Sequence, residues 1–298
     1  MNEYGLVFSG GGSRGAYQIG VWKALEQLGL TKYITAVSGT SVGALNGAMF
    51  SCISSEKAEA IWLGLSQQTI ADPEIAKERV SDAIQDILTP DADADAEGNT
   101  AIEQVKALGK RIGGTVKKGF RRGLYSREGL IELIENNGIH TALSQSRKPC
   151  FACLFNTTTN RAEYYDMSAL SPEKITQLLI ATSAVPLFFP VEEIDGERYM
   201  DGGVADNIPI KPLYDIGYRQ FIVSALSGMR FDKTRYPDAE FIEIYPSDEA
   251  FPKNGINGVF LGGLLEFNSE QVAERILLGE KETFNQIMLY LRTKGLPI

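Results

Sequence analysis

A chain of 298 residues is long enough to bury a substantial core in one or two domains. Its 44% hydrophobic and 22% charged residues are an ordinary globular composition, which excludes a largely disordered chain. The 29 Lys and Arg against 38 Asp and Glu leave a net charge of −9, which argues against nucleic acid as a partner.

Three cysteines cannot staple a secreted mini-protein and point to a reducing compartment. Glu3 and a glycine cluster stand where a signal peptide carries positive charge and an apolar run. No stretch approaches the ~20 apolar residues of a membrane span. The expectation is a soluble, cytoplasmic protein.

In chain order, Tyr4 to Ser9 reads as a buried strand that ends in Gly10-Gly11-Gly12-Ser13-Arg14-Gly15. Ile19, Trp22, Ala24, Leu25 and Leu28 follow at helical spacing until Gly29 stops them. The pattern repeats at once, with a strand from Ile34 to Val37, a turn Gly39-Thr40-Ser41-Val42-Gly43, and a helix of small residues from Ala44 to Cys52. Strands alternating with helices predict a parallel sheet covered by helices on both faces.

Residues 72–103 then carry ten acids and two bases, and residues 104–124 seven bases and no acid. Such a change of character marks residues 64–124 as an inserted cap over the sheet. Beyond it the spacing predicts a helix from Tyr125 to Glu135, a strand from Phe151 to Asn156, and a helix opened by Ser171-Pro172 that runs to about Ser183. A hairpin over Val191–Met200 turns at Asp195-Gly196. Strands at Phe221–Ala225 and Phe241–Tyr245 and a helix from about Ser269 to Leu291 complete the pattern.

Three motifs carry chemistry. Gly10, Gly12 and Gly15 lie between a strand and a helix, where backbone N–H groups can cradle an anion. A dinucleotide site also needs an acid at the end of the second strand, and Ala36-Val37-Ser38-Gly39 has none. A dinucleotide-dependent oxidoreductase is therefore disfavoured. The second motif, Gly39 to Gly43, matches the G-x-S-x-G elbow, whose glycines allow a sharp turn that exposes Ser41.

The usual partner of such a serine is histidine. The only one is His140, at a polar helix end, and it precedes every late-chain acid. A serine hydrolase built on this chain needs another base, and the best candidate is Asp201 in the third motif, Asp201-Gly202-Gly203. Alone, that tripeptide reads first as a plain turn.

Taken together, these residues resemble the patatin-like phospholipase family. Gly10 to Gly15 resembles its oxyanion segment, Gly39-x-Ser41-x-Gly43 its nucleophile elbow and Asp201-Gly202-Gly203 its dyad-aspartate motif. The stretches Ala184 to Pro190 and Asn207-Ile208-Pro209 are similar too. Ser9 stands where plant members usually carry Asp, and the bacterial branch is nearer to this sequence.

The resemblance implies a single three-layer α/β/α domain with a mainly parallel sheet. It also implies a lipid acyl hydrolase of the phospholipase A or lysophospholipase type. Ser41 would be the nucleophile and Asp201 the base, with Gly10, Gly11, Gly12 and Arg14 at the oxyanion and Gly39, Gly43 and Gly202 as motif support. No metal or cofactor is implied. The alternative from another class is a lipid- or nucleotide-responsive binding module on the same fold, against which an intact serine–aspartate pair argues.

Asp93, Asp95, Glu97 and Gly98 approach a calcium loop, but Gln104 stands where the closing carboxylate belongs. Cys150-x-x-Cys153 sits in a strand, where positions three apart face opposite sides, so both are expected to be core thiols. Around 104–124, Ile102, Val105, Ile112, Val116 and Phe120 fall roughly on one helical face among Lys106, Lys110, Lys117, Lys118 and Arg121. Basic amphipathic helices lie on anionic membranes, so this stretch is a candidate peripheral contact; the alternative is a solvated lid helix.

Overall fold

The computed structural model describes residues 3–65, 127–186, 189–251 and 269–295. The acidic and basic stretches within 64–124, the near-calcium loop among them, lie outside the described residues, as do Leu187 and Phe188.

The first half follows the expected alternation of β1 (Tyr4–Phe8), α1 (Ala16–Gln27), β2 (Ile34–Thr40) and α2 (Val42–Cys52), then α3 (Ser55–Gly64). From residue 128 onward come α4 (Glu128–Asn136), α5 (Ile139–Ser144), β3 (Cys150–Asn156), β4 (Arg161–Asp166) and α6 (Pro172–Thr182). The rest is β5 (Glu192–Ile194), β6 (Glu197–Asp201), the short α7 (Lys211–Asp215), β7 (Gln220–Ser224), β8 (Glu240–Ile244) and α8 (Ser269–Thr293).

Local chemistry explains several boundaries. The Ser171 hydroxyl accepts the Lys174 N–H and Pro172 occupies the first turn, so α6 starts where its capping residues stand. Asp195 and Gly196 both have positive φ, at 54° and 83°, and join Ile194 to its pair Glu197. That is the two-residue turn whose twist suits a tight hairpin.

The sheet order is β5-β6-β3-β2-β1-β7-β8, with β4 also paired to β3. The pairs β1–β2, β1–β7, β2–β3 and β7–β8 are parallel, while β4, β5 and β6 join antiparallel. Side chains alternate between two cores. Leu6, Phe8, Val37, Ile222 and Ile244 face the larger one, packed by α1 to α6 and α8. Val7, Ala36, Phe221 and Val223 face the smaller one, closed by Ile208, Ile210 and Leu213 around α7 and by Tyr236. The helical layer on that second face is thin. Among the described residues no helix is long and apolar enough to cross a membrane.

β4 was not anticipated, because none of its residues is fully buried and Arg161-Ala-Glu-Tyr-Tyr-Asp lacks the apolar alternation of a core strand.

A buried polar network ties α1, α2 and α3 beneath the first glycine turn. Asn46 Nδ2 donates to Gly15 O at 2.9 Å and to Gln18 Oε1 at 2.8 Å, and Asn46 Oδ1 accepts the Trp62 indole N–H at 2.9 Å. Gln18 Nε2 in turn donates to Ser9 O at 2.9 Å. Replacing Asn46 by Ala removes a hydrogen-bond partner from the buried Gln18 Oε1 and from the Trp62 indole N–H, at ~1–3 kcal/mol each. Asn46→Ala should therefore melt several degrees below the wild type in a thermal denaturation series; an unchanged midpoint would show that the network is not structural.

Candidate active site

The site is assembled on β3. β4 pairs with β3 from Phe151 to Asn156 and so occupies one edge of it. The other edge is shared. β2 pairs parallel as far as Thr40↔Cys153, and β6 pairs antiparallel from Asn156↔Tyr199 to Leu154↔Asp201. The two strands therefore run toward each other, and their C-terminal ends meet at adjacent positions of β3. Ser41 follows directly after Thr40, so the register brings Ser41 and Asp201 together although 160 residues separate them in the chain.

Ser41 is the hinge between β2 and α2, with φ 56° and ψ −130°, and is 7% exposed. Such a conformation in a non-glycine residue costs of order 1–3 kcal/mol and persists only when its surroundings hold it. The elbow glycines are required by close approach. A Cβ on Gly39 would come 2.2 Å from Gly43 O, and one on Gly43 would come 2.3 Å from Phe8 O. The strained turn is held further by the Ser41 amide, which donates to Thr182 Oγ1 at 3.0 Å.

Asp201 ends β6 and is 5% exposed. Its Oδ1 accepts the Gly203 N–H at 2.7 Å. Burial pushes its carboxyl up from 3.8 to about 6, against the opposing pull of hydrogen bonds from the Ser41 hydroxyl and the Gly203 amide. A Cβ on Gly202 would lie 2.2 Å from Cys153 O, so this glycine lets β6 settle against β3.

The first glycine turn abuts the serine, since a Cβ on Gly10 would lie 3.2 Å from Ser41 Cβ. The Gly10 N–H is engaged, donating to Asn207 O at 3.3 Å, while Asn207 Nδ2 donates to Gly10 O at 3.4 Å. The N–H groups of Gly11 and Gly12 have no partner among the described residues. They stand at the entry of the 3₁₀ turn Gly12–Gly15 that leads into α1, where the backbone dipoles favour an anion. Arg14 is half-buried, with its guanidinium 5.1 Å from the centre of the Phe251 ring, and burial lowers its pKa. Arg275 of α8 braces the same turn by donating to Ser13 Oγ at 2.9 Å.

His140 lies on α5, where its Nδ1 is 3.3 Å from Ile134 O and its Nε2 3.4 Å from Thr141 Oγ1. Cys150 and Cys153 are buried and free of disulfides; burial pushes the first thiol up to about 12 and the second well above its usual value. Both are core thiols.

Sequence reasoning missed Thr182, Gln18, Asn46 and Asp206. The Asp206 carboxylate accepts the Tyr164 hydroxyl at 2.6 Å, and its carbonyl accepts Thr40 Oγ1 at 2.9 Å, beside the elbow. Gln18 did leave a signal, as a polar side chain within the apolar stretch that α1 buries.

A strained serine on a strand-to-helix elbow, facing a buried carboxylate at the end of a mainly parallel sheet, defines a mixed α/β fold organised around one serine–aspartate pair. The model of the family described as "Patatin-like phospholipase" matches residues 6–214, and the chain belongs to that family. Over 46 residues it is 54% identical to "Lysophospholipase nte1" of Aspergillus terreus (strain NIH 2624 / FGSC A1156), which is 15% of this chain and 3% of that protein. Over 49 residues it is 49% identical to "Neuropathy target esterase sws" of Drosophila persimilis, 16% of this chain and 3% of that one. These matches thus span a small part of much longer proteins. Among solved structures, VipD from Legionella pneumophila superposes with a TM-score of 0.53 at 15% identity, over 97% of this chain and 67% of that one, a likeness of fold.

The raised carboxyl has a consequence for stability. Asp201 is a weaker acid when folded than when unfolded, so between about 4 and 6 the folded state binds more protons and stability falls as pH rises. Above about 6 the ionised carboxylate costs the fold on the order of 3 kcal/mol, a cost absent below the unfolded value. Asp201→Asn should accordingly raise the melting temperature at pH 7.5, and the gain should fade toward pH 4. A gain independent of pH would contradict the assignment.

Proposed function

We propose that the protein is a lipid acyl hydrolase that cleaves carboxylic esters of phospholipids or lysophospholipids through an acyl-serine on Ser41, with Asp201 as the base. The observation that carries this reading is the meeting of the strained Ser41 with a buried carboxyl whose pKa stands near 6. Family membership supports the ester chemistry, and the lysophospholipase and esterase names of the partial relatives support a lipid substrate.

In the first half-reaction the Asp201 carboxylate takes the Ser41 proton as Oγ bonds to the ester carbonyl carbon. Negative charge gathers on the carbonyl oxygen, where the Gly11 and Gly12 amides donate to it. Gly10, whose own amide is held by Asn207, keeps the turn docked against the serine. The tetrahedral intermediate collapses, and the departing alcohol takes the proton from Asp201. Water then adds to the acyl-serine, giving its proton to Asp201, and the fatty acid leaves as Ser41 recovers that proton.

A carboxylate of ordinary pKa is a poor base for a hydroxyl. Raising it from 3.8 to about 6 adds roughly two powers of ten in basicity, and exclusion of water strengthens the pair further. Arg14, stacked on Phe251, contributes positive charge at the same turn rather than a direct hydrogen bond to the oxyanion.

The lipid surface is proposed to be met by the basic stretch 104–124. Seven bases there can each contribute ~1 kcal/mol near anionic lipid, and the net charge of −9 is screened beyond ~8 Å at physiological salt.

Ser41→Ala and Asp201→Ala should each lower kcat for a soluble ester by at least about a thousandfold, and the double variant should be little worse, because the pair acts as a unit. For the wild type, kcat/KM should plateau above about pH 6 and fall tenfold per unit below it, as the carboxylate is protonated. Robust turnover by Ser41→Ala, or a flat profile down to pH 4.5, would refute the dyad. Replacing Lys117, Lys118, Arg121 and Arg122 together by Gln should weaken co-sedimentation with phosphatidylserine-containing vesicles while sparing the soluble ester. Unchanged vesicle binding would remove the segment from the membrane contact.

A further inference from the structure

The C-terminal turn of α6 touches both members of the candidate pair through the backbone. Thr182, the last residue of the helix, is fully buried. Its Oγ1 accepts the Ser41 N–H at 3.0 Å and donates its proton to Cys153 O at 2.5 Å. Two residues on, Ala184 O accepts the Asp201 N–H at 3.0 Å. One short segment thus grips the backbone of the serine, the aspartate and the β3 residue between their strands.

The hydroxyl is committed to two partners outside its own helix. A threonine inside a helix commonly turns its hydroxyl back onto the carbonyl of the preceding turn. Here it reaches across to another element. Ser41 is the N-cap of α2, so its amide lies before the helical ladder, and at 7% exposure it has little water to bond to. A hydroxyl has one proton and two lone pairs. With the proton given to Cys153 O, the lone pairs are the face presented to Ser41. The threonine therefore reads the distance between β3 and the elbow and fixes the backbone from which the Ser41 side chain projects.

We propose that Thr182 is a positioning residue for the reaction, holding Ser41 in its strained attacking conformation through the hydroxyl bridge between Cys153 O and the Ser41 amide. The proposal rests on the reading of Ser41 as nucleophile. It assigns Thr182 no contact with substrate and no part in proton transfer. Its effect belongs to the chemical step, because a displacement of the nucleophile by a fraction of an ångström changes the fit to the transition state more than the binding of the ester.

The test compares Thr182→Val, which keeps the branched shape and removes the hydroxyl, with Thr182→Ser, which keeps the hydroxyl and removes the methyl. Both are assayed on a soluble p-nitrophenyl ester beside the wild type and Ser41→Ala, with circular dichroism reporting the folded fraction. Thr182→Val should lower kcat on the order of 10- to 100-fold with KM within twofold of the wild type, and Thr182→Ser should retain kcat within threefold. If Thr182→Val fails to fold, Thr182→Ala and Thr182→Ser form the pair, differing only in the hydroxyl, and the same separation is expected. Retention of kcat by Thr182→Val, or equal loss in the valine and serine variants, overturns the proposal, the second outcome making the residue a packing element. Inactive Ser41→Ala beside fully active Thr182→Val defeats the positioning role alone, whereas active Ser41→Ala defeats the nucleophile assignment itself.

Discussion

Two strands compete for one edge of β3, and the site exists because neither takes all of it. β2 holds that edge as far as Cys153 and β6 holds it from Leu154 onward. Backbone hydrogen bonding fixes the register of each, so the point where they meet is set to within one residue. A slip of β6 by one residue would turn Asp201 to the opposite face of the sheet. The Cys153 carbonyl sits at the junction, bonded by Thr182 and approached so closely by Gly202 that no side chain fits between them. The meeting of Ser41 and Asp201 is a property of strand pairing before it is a property of side chains.

The junction is costly, and the surrounding structure is arranged to hold it. Ser41 adopts a backbone conformation that residues with side chains avoid, and the Asp201 carboxyl is ionised at neutral pH in a place that disfavours charge. Both are overdetermined by their neighbours. The elbow is pinned between α2 and β1 by the close approach at Gly43 and by Thr182. The glycine turn opposite is held from below by Gln18 on the Ser9 carbonyl, from the side by Asn207, and from α8 by Arg275. A rigid, well-packed core on the larger face of the sheet supplies the stability against which this local strain is tolerated.

The parts of this arrangement that the sequence made legible are those with a local physical signature. Apolar runs and helical spacing outlined the main strands and helices, and the hairpin at Asp195-Gly196 was readable because few residues accept positive φ. Gly39, Gly43 and Gly202 were legible for a related reason, since each marks a place where another backbone comes too near for a side chain. The solitary histidine was informative by subtraction, and it lies against the Ile134 carbonyl and its neighbour Thr141. Thr182 had no such signature. A threonine in a helix looks the same whether it is filler or a bridge, and its partners lie 29 and 141 residues away in the chain. β4 escaped because an edge strand with half-exposed residues lacks the alternation that reveals a buried one. That the Gly10 amide is engaged by Asn207, leaving Gly11 and Gly12, depends on a contact 197 residues distant that no local pattern encodes.

The central claim is that one serine, activated by one buried carboxylate, performs the chemistry. Its most direct test is covalent. The folded protein would be treated with a fluorophosphonate and digested with trypsin, and the adduct located by mass spectrometry. The account predicts a single adduct on the peptide spanning residues 33–57, placed on Ser41, formed more slowly in Asp201→Asn. Labelling elsewhere in the chain, or labelling of Ser41 at the same rate without the carboxylate, would contradict it.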